Sequence, residues 1–367
     1  MKQAAQRVAW CLWLSVVLSS CGATGVPIPP SLELPKPVTD LRAVRKGDKV
    51  TLAWTVPAKT TEGQSVRHMG PTRICRSLQA PDCKTPLAEI PPGQLPKPTL
   101  AKPGSPNPVT PATYVDILPR EMQLQNPAAE ITYAIEVLNT SGRSGGLSNL
   151  VQVPAAPTLP APANFAAQVT AQGVLLSWSC VPSSGIPVTP DLRYRVRAYR
   201  RTKEATTDTP VGEADALDCS QLSLLDQTIE WETNYTYHAA VVTIVAAPGK
   251  PEVEVQGDDT PAINVFTHDI FPPAVPTGLQ AVFSGVGQAP FVDLVWTPDS
   301  ETDLAGYHIY RHEEGGSPVR INSKVVKTPA YRDTNVVSGK RYFYSVSAVD
   351  VRGNESARSE EASEQVP

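Results

Sequence analysis

The chain has 367 residues, 38 of them proline, with 6% aromatic and 19% charged residues and a formal charge of −4. Proline at about twice ordinary usage breaks up long helices and favours strands, turns and stiff connectors, and the length suits two or three domains rather than one. A mildly acidic chain lacks the basic surface that phosphate backbones require, so no nucleic-acid partner is expected.

At the N-terminus, Lys2 and Arg7 give a positive start, and Val8 to Leu18 is an apolar run of eleven residues. That is too short to span a bilayer and has the length of a secretory signal, so residues 1–20 are expected to be removed. The segment ends Leu18, Ser19, Ser20, Cys21 and resembles the bacterial lipobox. The resemblance implies lipidation of the Cys21 thiol (a glyceride with palmitate-type acyl chains), cleavage before it, and a membrane partner reached through that lipid. It places the chain in a bacterial cell envelope, at the outer membrane if the cell is Gram-negative, because Gly22 rather than Asp follows the cysteine. Ordinary secretory cleavage after Ala23 is the alternative. Loss of Lys2 and Arg7 takes the formal charge from −4 to −6.

Cys11 leaves with the signal and Cys21 takes the lipid, which leaves Cys75, Cys83, Cys180 and Cys219. An even number of cysteines in an oxidising compartment makes disulfides the default. No C-x-x-C and no nearby His pair occurs, so neither a metal nor any other cofactor is expected.

A repeat becomes visible when the tryptophans are aligned. Trp54 in KVTLAWTVP, Trp178 in GVLLSWSCV and Trp296 in FVDLVWTPD each close an alternating strand, 124 and 118 residues apart. Downstream, each copy carries an apolar residue, any residue, then Asp: Tyr114 and Asp116, Leu224 and Asp226, Tyr331 and Asp333. Nine residues later, copies two and three begin a second strand at Tyr235 and Tyr342. Three landmarks in register establish an internal repeat.

The units resemble fibronectin type III domains. In the third copy, VPTGLQAV matches strand A, Trp296 lies on strand B, DLAGYHIYR resembles strand C as bacterial copies write it, Tyr342 matches the tyrosine corner, and VDVRGNES resembles the turn after strand F. The second copy keeps Trp178 and Tyr235, whereas the first has Ile131 at the corner position. The resemblance covers residues 36–367 and implies an all-β protein of three tandem immunoglobulin-like (fibronectin type III) β-sandwiches. The expected boundaries are a signal at 1–20, a lipidated and proline-rich tether at 21–37, domains at 38–154, 163–270 and 277–367, and linkers at 155–162 and 271–276. The tether and linkers read as semi-rigid polyproline II spacers. Residues 91–113 hold eight prolines in 23 residues and read as an extended loop of copy one, either a partner-binding arm or a stiff insertion.

In this fold strands B and E are antiparallel neighbours, so the end of B, at Cys180, meets the start of E, at Cys219. Cys75 and Cys83 flank a C to C' hairpin. Both pairs are expected to be structural disulfides.

Strand C of copy two, DLRYRVRAYRR, alternates Tyr194, Val196 and Ala198 toward the core with Arg193, Arg195 and Arg197 on the other face. Three arginines in line can clasp anionic groups, although an outer sheet face has to be polar and arginine is common there. Tyr310 of copy three points outward, where a sugar could stack. His308 and His312 are four residues apart, about 13 Å on an extended strand, too far to share a zinc ion. Asp258 and Asp259 sit in a turn-like GDDTP. No nucleophile, metal-ligand or P-loop pattern occurs. The expectation is therefore a non-enzymatic, lipid-anchored envelope protein acting as spacer, adhesion or interaction module for a protein or glycan partner, with a glycan-binding accessory module as the alternative.

Overall fold

The computed structural model describes residues 32–79, 82–92, 110–181, 189–246, 249, 251–284, 287 and 289–367. The signal segment, Cys21 and most of the tether lie outside these residues, as do 93–109 of the proline-rich insert. The described residues build three two-sheet sandwiches.

The first sandwich contains β1 (Arg42–Lys46), β2 (Lys49–Thr55), β3 (Met69–Ser77), β4 (Ala88–Ile90), β5 (Pro111–Ile117), helix α1 (Arg120–Gln125), β6 (Glu130–Asn139), β7 (Ser144–Leu147) and β8 (Val151–Pro154). Its sheets run β1-β2-β5 and β4-β3-β6-β7, with β8 also paired to β6. Strict alternation in β2 buries Val50, Leu52 and Trp54 while Lys49 and Thr51 face water. Those three pack with Ile74, Ile131, Tyr133 and Ile135 from the facing sheet.

The second contains β9 (Ala166–Thr170), β10 (Gly173–Ser177), β11 (Leu192–Thr202), β12 (Thr209–Asp215), β13 (Ser223–Asp226), β14 (Asn234–Val245), β15 (Val253–Asp259) and β16 (Ile263–Phe266). Its sheets run β9-β10-β13 and β12-β11-β14-β15, with β16 on β14. The third contains β17 (Gln280–Ser284), β18 (Phe291–Val295), β19 (Leu304–Glu313), β20 (Val319–Arg320), β21 (Ala330–Asp333), β22 (Arg341–Asp350) and β23 (Ala362–Gln365) in sheets β17-β18-β21 and β20-β19-β22-β23. In all three, the small sheet is A-B-E and the large one C'-C-F-G, the strand order of a fibronectin type III sandwich.

The second and third sandwiches share one compact unit, whereas Ile244–Gln256, from β14 into β15, groups with the first sandwich.

Three expectations are corrected. The extended loop expected over 91–113 ends earlier, because β5 begins at Pro111, paired to Thr55. Proline is tolerated there because the first residue of a strand can forgo its donor. The 155–162 linker is not a solvated spacer: Ala155, Ala156 and Leu159 are buried, and Ala155 N–H bonds the Ala129 carbonyl at 2.8 Å. Asp258 and Asp259 end strand β15 rather than forming a turn.

Gly306 shows why DLAGY carries glycine. Its φ is +145°, β19 bulges between Leu304 and Gly306, and a Cβ there would sit 2.3 Å from the Val326 carbonyl oxygen.

Candidate functional site

Each sandwich holds one buried polar cluster at the same place. The Asp of the apolar-x-Asp landmark lies on strand E, where a strand C arginine and a strand F tyrosine converge on one of its oxygens. In the first sandwich, Arg76 Nη1 and the Tyr133 hydroxyl donate to Asp116 Oδ2 at 2.7 and 2.6 Å. In the second, Arg200 and Tyr237 donate to Asp226 Oδ2 at 2.8 and 2.9 Å. In the third, Arg311 and Tyr344 donate to Asp333 Oδ2 at 2.7 and 3.0 Å. Burial first, then the adjacent carboxylate, pushes all three tyrosine hydroxyls above their ordinary pKa, so they remain donors. The other oxygen of Asp226 takes Thr228 N–H at 3.0 Å, and that of Asp333 takes Asn335 N–H at 2.9 Å.

The corner tyrosines lie beside these clusters. Tyr235 and Tyr342 accept from the backbone N–H five residues upstream, Glu230 at 2.9 Å and Val337 at 3.1 Å. Their rings lie under Arg200 and Arg311, 4.8 and 5.0 Å from the guanidinium carbons. Ile131 can do neither. In the first sandwich α1 fills the corner instead, and buried Gln123 donates to Asp48 Oδ1 at 2.9 Å and the Leu118 carbonyl at 3.0 Å while accepting from Arg45 at 3.1 Å.

The other predicted residues fall as follows. Trp54, Trp178 and Trp296 are buried in the three cores. Cys75 is bonded to Cys83 and Cys180 to Cys219, with Cα atoms 5.3 and 5.1 Å apart. β10 pairs with β13 so that Ser177 opposes Ser223, which carries the end of B to the start of E. The arginine row is charge-compensated rather than bare: Arg195 opposes Asp215 at 3.7 Å, and Arg197 bonds Glu213. Arg193 is exposed and not without a partner. Tyr310 donates its hydroxyl to Glu355 at 2.5 Å, and Arg358 lies over its ring at 5.4 Å, so that face is no open stacking platform.

One site escaped the sequence. Asp269, on the connection after β16, Asp303, just before β19, and Asp350, the last residue of β22, each place a carboxylate oxygen within 4.8 Å of the others. Asp350 Oδ1 accepts from Arg352 N–H at 2.8 Å and Asn354 N–H at 2.9 Å, and its Oδ2 from Asn354 Nδ2 at 2.8 Å. Asp269 Oδ1 accepts from Phe271 N–H at 3.3 Å, whereas its Oδ2 has no hydrogen-bond partner and lies 3.5 Å from Arg352 Nη1. Separations of 34 and 47 residues hide such a cluster from any motif.

No protein-family model matches the chain. Amylopullulanase of Thermoanaerobacterium saccharolyticum is 39% identical over 133 residues, 36% of this chain and 9% of that protein. Exoglucanase B of Cellulomonas fimi is 36% identical over 94 residues, 25% of this chain and 8% of that protein. The chain thus spans less than a tenth of either relative. Among solved structures, the FN1-FN3 domains of chicken CNTN1 align over 90% of this chain and 99% of that one at 15% identity and TM-score 0.25. An Fn3-like protein from Clostridium thermocellum aligns over 26% of this chain and 96% of that one at 36% identity and TM-score 0.23. By the strand order of its six sheets and the Arg-Asp-Tyr cluster repeated in each copy, the chain is a tandem of three fibronectin type III-like sandwiches.

Proposed function

We propose that the chain is a non-catalytic, lipid-anchored protein of a bacterial cell envelope, held through Cys21, whose sandwiches act as a spacer, adhesion or protein-interaction module. The observation that carries this reading is where the buried polar groups go. An Asp, an Arg and a Tyr converging in a buried site are what acid-base chemistry would recruit. Here the same three residue types recur at the same strands of every copy and satisfy one another, which is what a structural tie between two sheets requires. The anchor rests on the N-terminal pattern that ends at Cys21.

The test of the anchor is fractionation of cells making the full chain or its Cys21→Ser variant. Wild type is expected in the membrane fraction and the variant in the soluble fraction; equal partitioning would overturn the anchor. Two relatives named as an amylopullulanase and an exoglucanase favour a second reading, a glycan-binding accessory module. A glycan array separates the two: binding supports the accessory module, and a blank array removes it.

A further inference from the structure

We propose that Asp269, Asp303 and Asp350 bind one calcium ion, which fastens the connection after the second sandwich to the end of the third. The argument starts from charge. Asp269 and Asp350 are buried and Asp303 is half-buried, so three carboxylates share a space in which water screens little. The cation beside them, Arg352, supplies one positive charge and divides it, since its Nε also lies 3.5 Å from Glu232. A divalent ion restores neutrality to three carboxylates and one guanidinium.

The second observation is Asp269 itself. Its side chain is 2% exposed, and its Oδ2 makes no hydrogen bond, with Arg352 Nη1 at 3.5 Å beyond hydrogen-bond geometry. A carboxylate oxygen left so in a buried site costs stability unless something fills the demand.

Donor chemistry selects the ion. The three oxygens all lie within 4.8 Å of one another, close enough for one ion to bridge them. Ca2+ accepts six to eight oxygens in a flexible shell, whereas Mg2+ demands near-ideal octahedral geometry and keeps several of its waters. An all-carboxylate donor set is hard and suits neither zinc nor copper. Asp350 is also pre-positioned: its three turn hydrogen bonds leave lone-pair capacity for a metal bond, and Asn354 Nδ2 bonds the Asp269 carbonyl at 3.1 Å, tying the turn to the connection.

The test is calorimetric titration of the EDTA-stripped full chain with calcium chloride, beside thermal melting with and without 10 mM calcium. One site with a Kd of about 0.1–1 mM is expected, the range of extracellular calcium modules, together with a rise in melting temperature of about 5 °C. Asp303→Asn is expected to weaken binding at least tenfold, while Asp293→Asn, at an exposed pair with Arg332, leaves it unchanged. No binding heat and no melting shift in the wild type, or an unaltered Kd in Asp303→Asn, would overturn the proposal.

Discussion

Arg311 reaches from strand C to Asp333 on strand E, Nη1 to Oδ2 2.7 Å, and so joins the two sheets of the third sandwich by a charged bond at the edge of its core. Tyr344 closes the same oxygen from strand F at 3.0 Å. The Asp333 side chain is 3% exposed, so removing it leaves the Tyr344 hydroxyl and the Asn335 N–H without their acceptor and takes the charge partner from Arg311, which keeps the Asn335 carbonyl at 2.7 Å. Asp333→Ala is expected to cost about 3–5 kcal/mol, the penalty of breaking a buried pair, and Tyr344→Phe about 1 kcal/mol. Urea unfolding of the two variants checks this; similar small losses for both would mean that the cluster is not a structural tie.

The cluster also shows what could be seen in the sequence. Trp54, Trp178 and Trp296 and the three Asp residues stand out because a strand alternates with period two, and a repeat in register betrays itself. The arginines were equally regular, each two residues after a core position (Ile74 and Arg76, Ala198 and Arg200, Ile309 and Arg311), so that alternation turns them inward. They were hidden because a strand arginine looks like outer-face polarity, and in copy two Arg200 follows Arg193, Arg195 and Arg197, which do face outward. Asp269, Asp303 and Asp350 meet only through topology, on three separate loops or strand ends. In the 155–162 segment Pro-Ala composition suggests a spacer, while small apolar residues also pack well, as Ala155 and Ala156 do.

Gly306 and Gly315 separate close approach from backbone strain. Both have positive φ, but a Cβ at Gly315 meets nothing within 4 Å, whereas one at Gly306 would strike the Val326 carbonyl. Gly315→Ala is expected to cost about 1 kcal/mol, and Gly306→Ala about 3 kcal/mol or more. Equal losses in chemical denaturation would contradict the bulge as the reason for the glycine.

The disulfides close loops of 39 and 8 residues. Chain entropy gives about 4 kcal/mol for Cys180–Cys219 and about 2.5 kcal/mol for Cys75–Cys83. The Cys180→Ser/Cys219→Ser pair of substitutions should therefore lower stability more than Cys75→Ser/Cys83→Ser. Peptide mapping without reductant should recover the pairs 75–83 and 180–219, and cross-pairing would contradict the strand register.

Glu355 gives the third sandwich an acid-sensitive contact. Burial pushes its carboxyl up, but hydrogen bonds from Ser347 Oγ and the Tyr310 hydroxyl, both 2.5 Å, and nearby His308 outweigh this and hold its pKa below the ordinary 4.5. A depressed folded pKa stabilises fully above the unfolded value and is lost as pH falls through the folded one. With 35% of the side chain exposed, the gain is about 0.5 kcal/mol after screening. Stability measured from about pH 5 down to about pH 3 should fall less steeply in Glu355→Gln than in wild type; parallel curves would contradict the assignment.

The anchor at Cys21 is the claim on which localisation and role depend, and the mass of the mature N-terminus tests it most directly. The chain purified from membranes is predicted to begin at Cys21 and to carry the added mass of a diacylglyceryl group on that residue. A mature chain that begins at Thr24 without lipid, or one that retains Met1, would contradict the account.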